Sequence, residues 1–199
     1  MRYFNGFLLA VLCFSFSSTY ANPTSEASSG SPFDIFPFDA PSSKGVDLAN
    51  YRNQWNRLTG FEYSGLHWKQ FIVVYSNIGK SVFRHNYITY LNQIEAEEEE
   101  EDFEGAFKKY AVGSVLIKEN YGSDHGKPGD PQTLTIMIKR TPGYDADFGD
   151  WEYLQSNVKG KFLVQGNSQN FVVKKTCLEC HANVAERDYI FSSFYSESK

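Results

Sequence analysis

The sequence predicts an α+β domain dominated by an antiparallel β-sheet, with short flanking helices. Three observations predict it. Six short runs rich in Val, Ile, Tyr, Phe, Trp and Thr follow one another between Gly and Pro punctuation. Only two stretches before them or among them carry apolar residues at helical spacing. The chain of 199 residues suits one domain with a real core.

The elements can be justified in order. Leu48, Tyr51, Trp55 and Leu58 repeat at helical spacing, and Asp47 suits an N-cap. Phe71-Ile72-Val73-Val74-Tyr75 reads as a buried strand. A second helix follows, with Phe83, Tyr87, Leu91 and Ile94 on one face. Gly113 to Tyr121 and Thr133 to Arg140 read as strands, and Gly122, Gly126, Pro128, Gly129 and Pro131 mark a loop between them. Trp151 to Leu154, Lys161 to Gln165 and Phe171 to Lys174 are further short strands. A last helix and a short aromatic tail close the chain.

That last helix opens on Cys177-Leu178-Glu179-Cys180-His181. The pattern C-x-x-C-H is a c-type haem attachment motif: each thiol adds across a vinyl group, and the histidine becomes an axial ligand of the iron. Two rival readings have to be weighed. Half of a zinc site would need two more ligands from His67, His85 or His125, and none of these has paired spacing. A thioredoxin-like dithiol needs a βαβ context near the front of a domain.

The N-terminus favours haem. Arg2, an apolar run from Phe7 to Phe16, and a small residue at Ala21 describe a secretory signal peptide over residues 1–21. The run is too short to span a bilayer, although an uncleaved anchor is the alternative. Removal of the signal takes Cys13, so of the three cysteines only Cys177 and Cys180 remain. The expected compartment is the periplasm.

Residues 22–45 read as a Pro/Ser-rich linker holding four of the seven prolines, and residues 46–199 as the haem-binding domain. Within the linker, Pro32-Phe33-Asp34-Ile35-Phe36-Pro37-Phe38 carries four large apolar side chains. They are expected to dock on the domain, with a partner-binding segment as the alternative. Without the signal, 18 basic residues face 24 acidic ones. Eight of those acids fall in an insertion at 95–104, leaving 18 against 16. The insertion is expected to be a solvated loop, with docking of a basic redox partner as the alternative. The absence of a basic patch argues against nucleic acid.

The position of the motif bears on coordination. The residues after His181 contain neither His nor Met, and Met137 is the one methionine outside the signal. Met137 lies in a predicted strand and is expected to pack in the core. His67, His85 and His125 are expected to be surface or capping residues. The expectation is a five-coordinate iron with one open face, which favours ligand binding or substrate oxidation over electron relay.

Residues 177–191, with Ala185, Asp188 and Phe191 at fixed distances after C-x-x-C-H, resemble the cytochrome P-460 family, which includes the cytochromes c′-beta. Gly113-Ser114-Val115-Leu116-Ile117-Lys118-Glu119 looks like its lysine strand, and Gly149-Asp150-Trp151-Glu152-Tyr153 like its G-[DN]-W segment. Asn50-Tyr51-Arg52 with Trp55, and Val74-Tyr75-Ser76-Asn77, are similar to its front half. The resemblance runs from about Asp47 to Tyr195.

It implies a homodimer of β-rich subunits with haem c ligated by His181. Members of the family divide between hydroxylamine oxidation, with a lysine bonded to the haem edge, and binding of gases such as nitric oxide at an aromatic-lined distal face. Lys118 matches the linking lysine. Where hydroxylamine-oxidising relatives carry a carboxylate, this chain has Thr135, which accepts no proton at working pH. Asp130 is near in sequence but placed in the predicted loop. The expectation is therefore binding of a small gas or nitrogen oxide with one-electron redox change. Hydroxylamine oxidation is the second reading, and an electron carrier is the third.

Overall fold

The computed structural model describes residues 37–42 and 46–197. The signal segment, most of the linker and three of the four large apolar side chains of its aromatic stretch lie outside the described residues. The rest is an antiparallel seven-stranded sheet with a few short helices, as the sequence predicts.

The strands are β1 (Asn56–Arg57), β2 (Glu62–Ser64), β3 (Gln70–Ser76), β4 (Val115–Asp124), β5 (Lys127–Lys139), β6 (Trp151–Asn157) and β7 (Phe162–Gly166). They lie in the order β1-β3-β4-β5-β6-β7, with β2 also paired to β3. Alternation along each strand divides the side chains between two faces. On one face Val73, Tyr75, Ile117, Ile136 and Leu154 pack with Leu48, Tyr51 and Phe38. Phe38 meets Tyr121 edge-on at 5.6 Å, and the Asp39 amide donates to the Val158 carbonyl at 2.8 Å. On the other face Val74, Leu116, Met137 and Tyr153 pack with Phe83, Val173, Leu178 and Ile190.

The residues adjoining β4 explain two of the sequence motifs. Lys118 and Glu119 point to opposite faces because they are neighbours on one strand. Glu119 is fully buried and accepts from the Arg52 guanidinium, the Tyr51 hydroxyl and the Tyr121 hydroxyl. A carboxylate removed from water needs such partners. The network ties α1 (Tyr51–Gln54) to the sheet.

Several expectations are corrected. The first helix is one turn long. Trp55 is extended, and Asn56–Arg57 instead pair with Ser76 and Tyr75, satisfying an open edge of β3. Asp47 does not cap it; its carboxylate accepts from the Ala49 amide.

α2 (Lys80–Glu99) buries Phe83, Asn86 and Thr89 rather than Leu91, which is 43 % exposed. Asn86 turns inward to hold the following segment, donating to the Lys108 carbonyl and accepting from the Lys108 amide. The helix also includes Glu95 and Glu97 to Glu99, so the acidic insertion begins as exposed helix and not as loop.

The predicted loop at 122–131 is a hairpin. His125 and Gly126 supply the two positive φ values of its tight turn. Pro128 and Pro131 are tolerated because β6 pairs with β5 only from Thr133 onward, so the missing amides face no strand. Asp130 is thereby part of β5 and exposed.

Phe171 to Lys174 is helical, not extended. Asn170 caps it, accepting from the amides of Val172 and Val173, and this overrides the β-branched run. Val173 and Leu178 then bury fully against the sheet, each contributing roughly 1.5–3 kcal/mol. Asn170→Ala is expected to cost about 1 kcal/mol through the lost cap. In calorimetry of the holoprotein that appears as a melting point about 2–4 °C lower.

Candidate functional site

The motif helix begins before the motif. α3 (Phe171–Val173) runs into a π-helical turn at Lys174–Leu178, and this into α4 (Glu179–His181). A π turn is rare and commonly found at functional positions. Cys177 and Cys180, three residues apart, lie on one side of this helix. Both are free thiols, Cys177 half-buried and Cys180 exposed. Thr176 ties the turn by donating to the Val172 carbonyl at 2.7 Å.

His181 has one nitrogen committed. Its Nδ1 lies 2.6 Å from the Tyr189 carbonyl oxygen, which can only accept, so Nδ1 carries the proton and donates. Nε2 is left with its lone pair free. A backbone carbonyl on the far nitrogen is the usual support of a metal-ligating histidine. Tyr153 and Phe191 pack edge-on against the ring at 5.5 and 5.2 Å. Burial, and then the charge of Lys118, push His181 down to about 4, so it stays neutral.

The support for Tyr189 is unusual. Asp188 and Tyr189 both have positive φ, 54° and 65°. Asp188 makes this turn affordable in energy. Its carboxylate binds Lys139 Nζ at 2.6 and 2.7 Å and accepts from the Tyr110 amide at 2.8 Å. Its carbonyl accepts from Trp151 Nε1 at 2.8 Å. Gly149 is also required here, since a Cβ on it would lie 2.7 Å from the Tyr189 ring.

The sheet face beneath carries a row in register: Val74, Lys118, Thr135, Gln155 and Val164. Lys118 thus stands beside Thr135, whose hydroxyl accepts from Asn120 at 3.3 Å. Burial pushes the Lys118 amine down to about 7, opposed by nearby Cys177. Lys118 is therefore close enough to Cys177 and to His181 for their charges to interact.

His67 lies near the same residues, against the expectation of a surface or capping residue. It lies on the turn between β2 and β3, half-buried, with Nδ1 fully buried and without a hydrogen-bond partner. Burial, and then the charges of Lys118 and His181, push it down to about 3. His85 does behave as expected, meeting the Ala106 carbonyl at 2.9 Å, and His125 sits exposed on its turn.

Sequence reasoning also missed Tyr153. Its hydroxyl is buried without a partner, and burial raises its pKa, aided by Cys177. Alternation from Trp151 along β6 was the available signal. Met137 packs in the apolar cluster with Leu116 and Leu178.

These residues fit a haem. Two thiols on one side of a helix and an imidazole with a free Nε2 make the attachment set. His67 Nδ1 and the Tyr153 hydroxyl are buried polar atoms without a hydrogen bond of normal geometry. Phe171 and Val172, on the helix leading to the cysteines, and Leu66 and Trp68, beside His67, are exposed apolar side chains that a flat macrocycle can cover. The rival readings find less. Among the described residues no group of three or more His, Cys, Asp or Glu converges as a metal site, and the antiparallel sheet offers no βαβ unit.

The family model described as Cytochrome P460 matches residues 67–192, more than half of the chain. The match begins at His67 and takes in Lys118, both cysteines and His181. No curated protein matches the chain.

Proposed function

The chain belongs to the cytochrome P460 family and is a haem protein of that family, and on this premise we propose that it is a periplasmic mono-haem c cytochrome that binds a small gas or nitrogen oxide. Cys177 and Cys180 would hold the haem through two thioethers, and His181 Nε2 would bind its iron. The haem would supply a metal able to take up a small ligand and a one-electron redox change.

The observation that carries this reading is the Nδ1 bond of His181 to the Tyr189 carbonyl, which commits the ring to ligation through Nε2. Tyr153 and Phe191 fix its plane. Met137 is buried in apolar packing with Leu116 and Leu178. Thr135 stands beside Lys118 where catalysis would place a proton acceptor, so the site is suited to holding a ligand more than to oxidising one. Export by the signal segment and pairing of two subunits belong to the same proposal.

One observation favours hydroxylamine oxidation as a second reading. A buried amine held near 7 beside Cys177 presents its lone pair at neutral pH, the state an amine needs to bond carbon. Peptide mass measurement spanning Lys118 and Cys177 to His181 decides between the two. The expected result is no tether, a haem spectrum nearly unchanged in Lys118→Ala, and no dye reduction driven by hydroxylamine. A cross-linked peptide, with a red-shifted reduced band lost in Lys118→Ala and hydroxylamine turnover, would establish the second reading.

A further inference from the structure

We propose that His67 is the distal residue of this site, the side chain that hydrogen-bonds the small molecule taken up on the open side of the cofactor held by His181. The proposal rests on the open-face reading above and names a polar group for the open side. Thr135 supplies no proton acceptor, and Phe171, Val172, Leu66 and Trp68 supply only apolar surface.

Three independent features converge on His67. Its turn is fixed. Ser64 pairs with Gln70 in the hairpin register, the His67 amide donates to the Ser64 carbonyl at 3.3 Å, and the Gln70 amide donates to the His67 carbonyl at 3.2 Å. The Gln70 side chain is in turn bonded to Gln132 on β5, which pins the hairpin to the sheet. Trp68 and Lys69, the next two residues, both have positive φ, at 54° and 57°. Neither is Gly, Asn or Asp, so the turn holds strain of the kind concentrated at ligand clamps.

The turn also ends on the side of the sheet that carries Lys118. Gln70 falls with Ile72 and Val74 on one face of β3, and Val74 is paired with Lys118. The charges of Lys118 and His181 accordingly act on His67. Trp68 packs edge-on against it at 4.7 Å and closes its outer side.

Finally, His67 has unspent hydrogen-bonding capacity. The Gln70 side chain is the polar neighbour of its ring, but neither Nδ1 nor Gln70 Oε1 makes a hydrogen bond of normal geometry. Buried polar atoms are rarely left so unless a ligand or water completes them. A neutral imidazole has one donor and one acceptor nitrogen, and so serves ligands with either a lone pair or a polar hydrogen. An apolar distal face has no such preference. His67 therefore biases this site toward polar small ligands over carbon monoxide.

The test is the infrared C–O stretching band of the reduced holoprotein with carbon monoxide, in wild type, His67→Leu and His67→Gln at matched haem content. The expected result is a displaced band in His67→Leu that returns toward the wild-type position in His67→Gln. Three coincident bands would overturn the proposal and leave the open-face reading intact. A wild-type protein that refuses carbon monoxide, with a His67→Leu variant that accepts it, would make His67 an axial ligand and overturn both. Refusal by all three overturns the open-face reading and this inference with it.

Discussion

Replacement of both Cys177 and Cys180 by Ala is expected to abolish covalent haem retention. The two thiols lie three residues apart on the motif helix, and under the proposed attachment each single replacement removes one of two thioethers. Cys177→Ala or Cys180→Ala should therefore weaken retention, and the double change should leave no haem stain on a denaturing gel. His181→Ala should act differently. It keeps both thioethers and the stain, but loses the imidazole that Tyr189 orients. Its spectrum should report loss of the strong axial ligand. Persistent staining in the double variant would refute the attachment assignment.

Asp188→Ala carries the largest expected stability loss. Lys139 is buried, and Asp188 is its ion-pair partner. Removing the acid leaves an uncompensated buried charge, which costs about 3–5 kcal/mol. It also frees the Tyr110 amide, and loosens the turn that aims the Tyr189 carbonyl at His181. Chemical denaturation of the holoprotein should show the loss as a lower midpoint at unchanged slope. Asp188→Asn keeps the shape and should cost less in packing, but it cannot restore the charge. A midpoint within experimental error of wild type in Asp188→Ala would show that Lys139 finds another partner.

Much of the fold was legible because it rests on local pattern. Strands β3, β4, β6 and β7 follow from runs of β-formers, and alternation puts Lys118 and Glu119 on opposite faces. The candidate attachment set was legible because C-x-x-C-H places all three groups within five residues. What escaped was set by tertiary partners. Phe171 to Lys174 is helical because Asn170 caps it. The first helix stops early because β3 needs an edge partner. Asn86 turns inward because residues far along the chain need their backbone satisfied.

His67 escaped for a different reason. Its turn uses Trp68 and Lys69 at positive φ, where composition gives none of the usual Gly, Asn or Asp signals. The Asp188–Lys139 pair was equally hidden. Asp188 was visible only as a fixed spacing after the motif, and its role depends on a partner on β5.

The central claim is a haem held by His181 with its other face open. The most direct measurement is the optical spectrum of the dithionite-reduced protein before and after addition of carbon monoxide or nitric oxide. The account predicts a five-coordinate spectrum that converts to that of the gas complex without prior loss of a protein ligand. A sharp six-coordinate spectrum of the His/Met or bis-His type, unmoved by either gas, would contradict it.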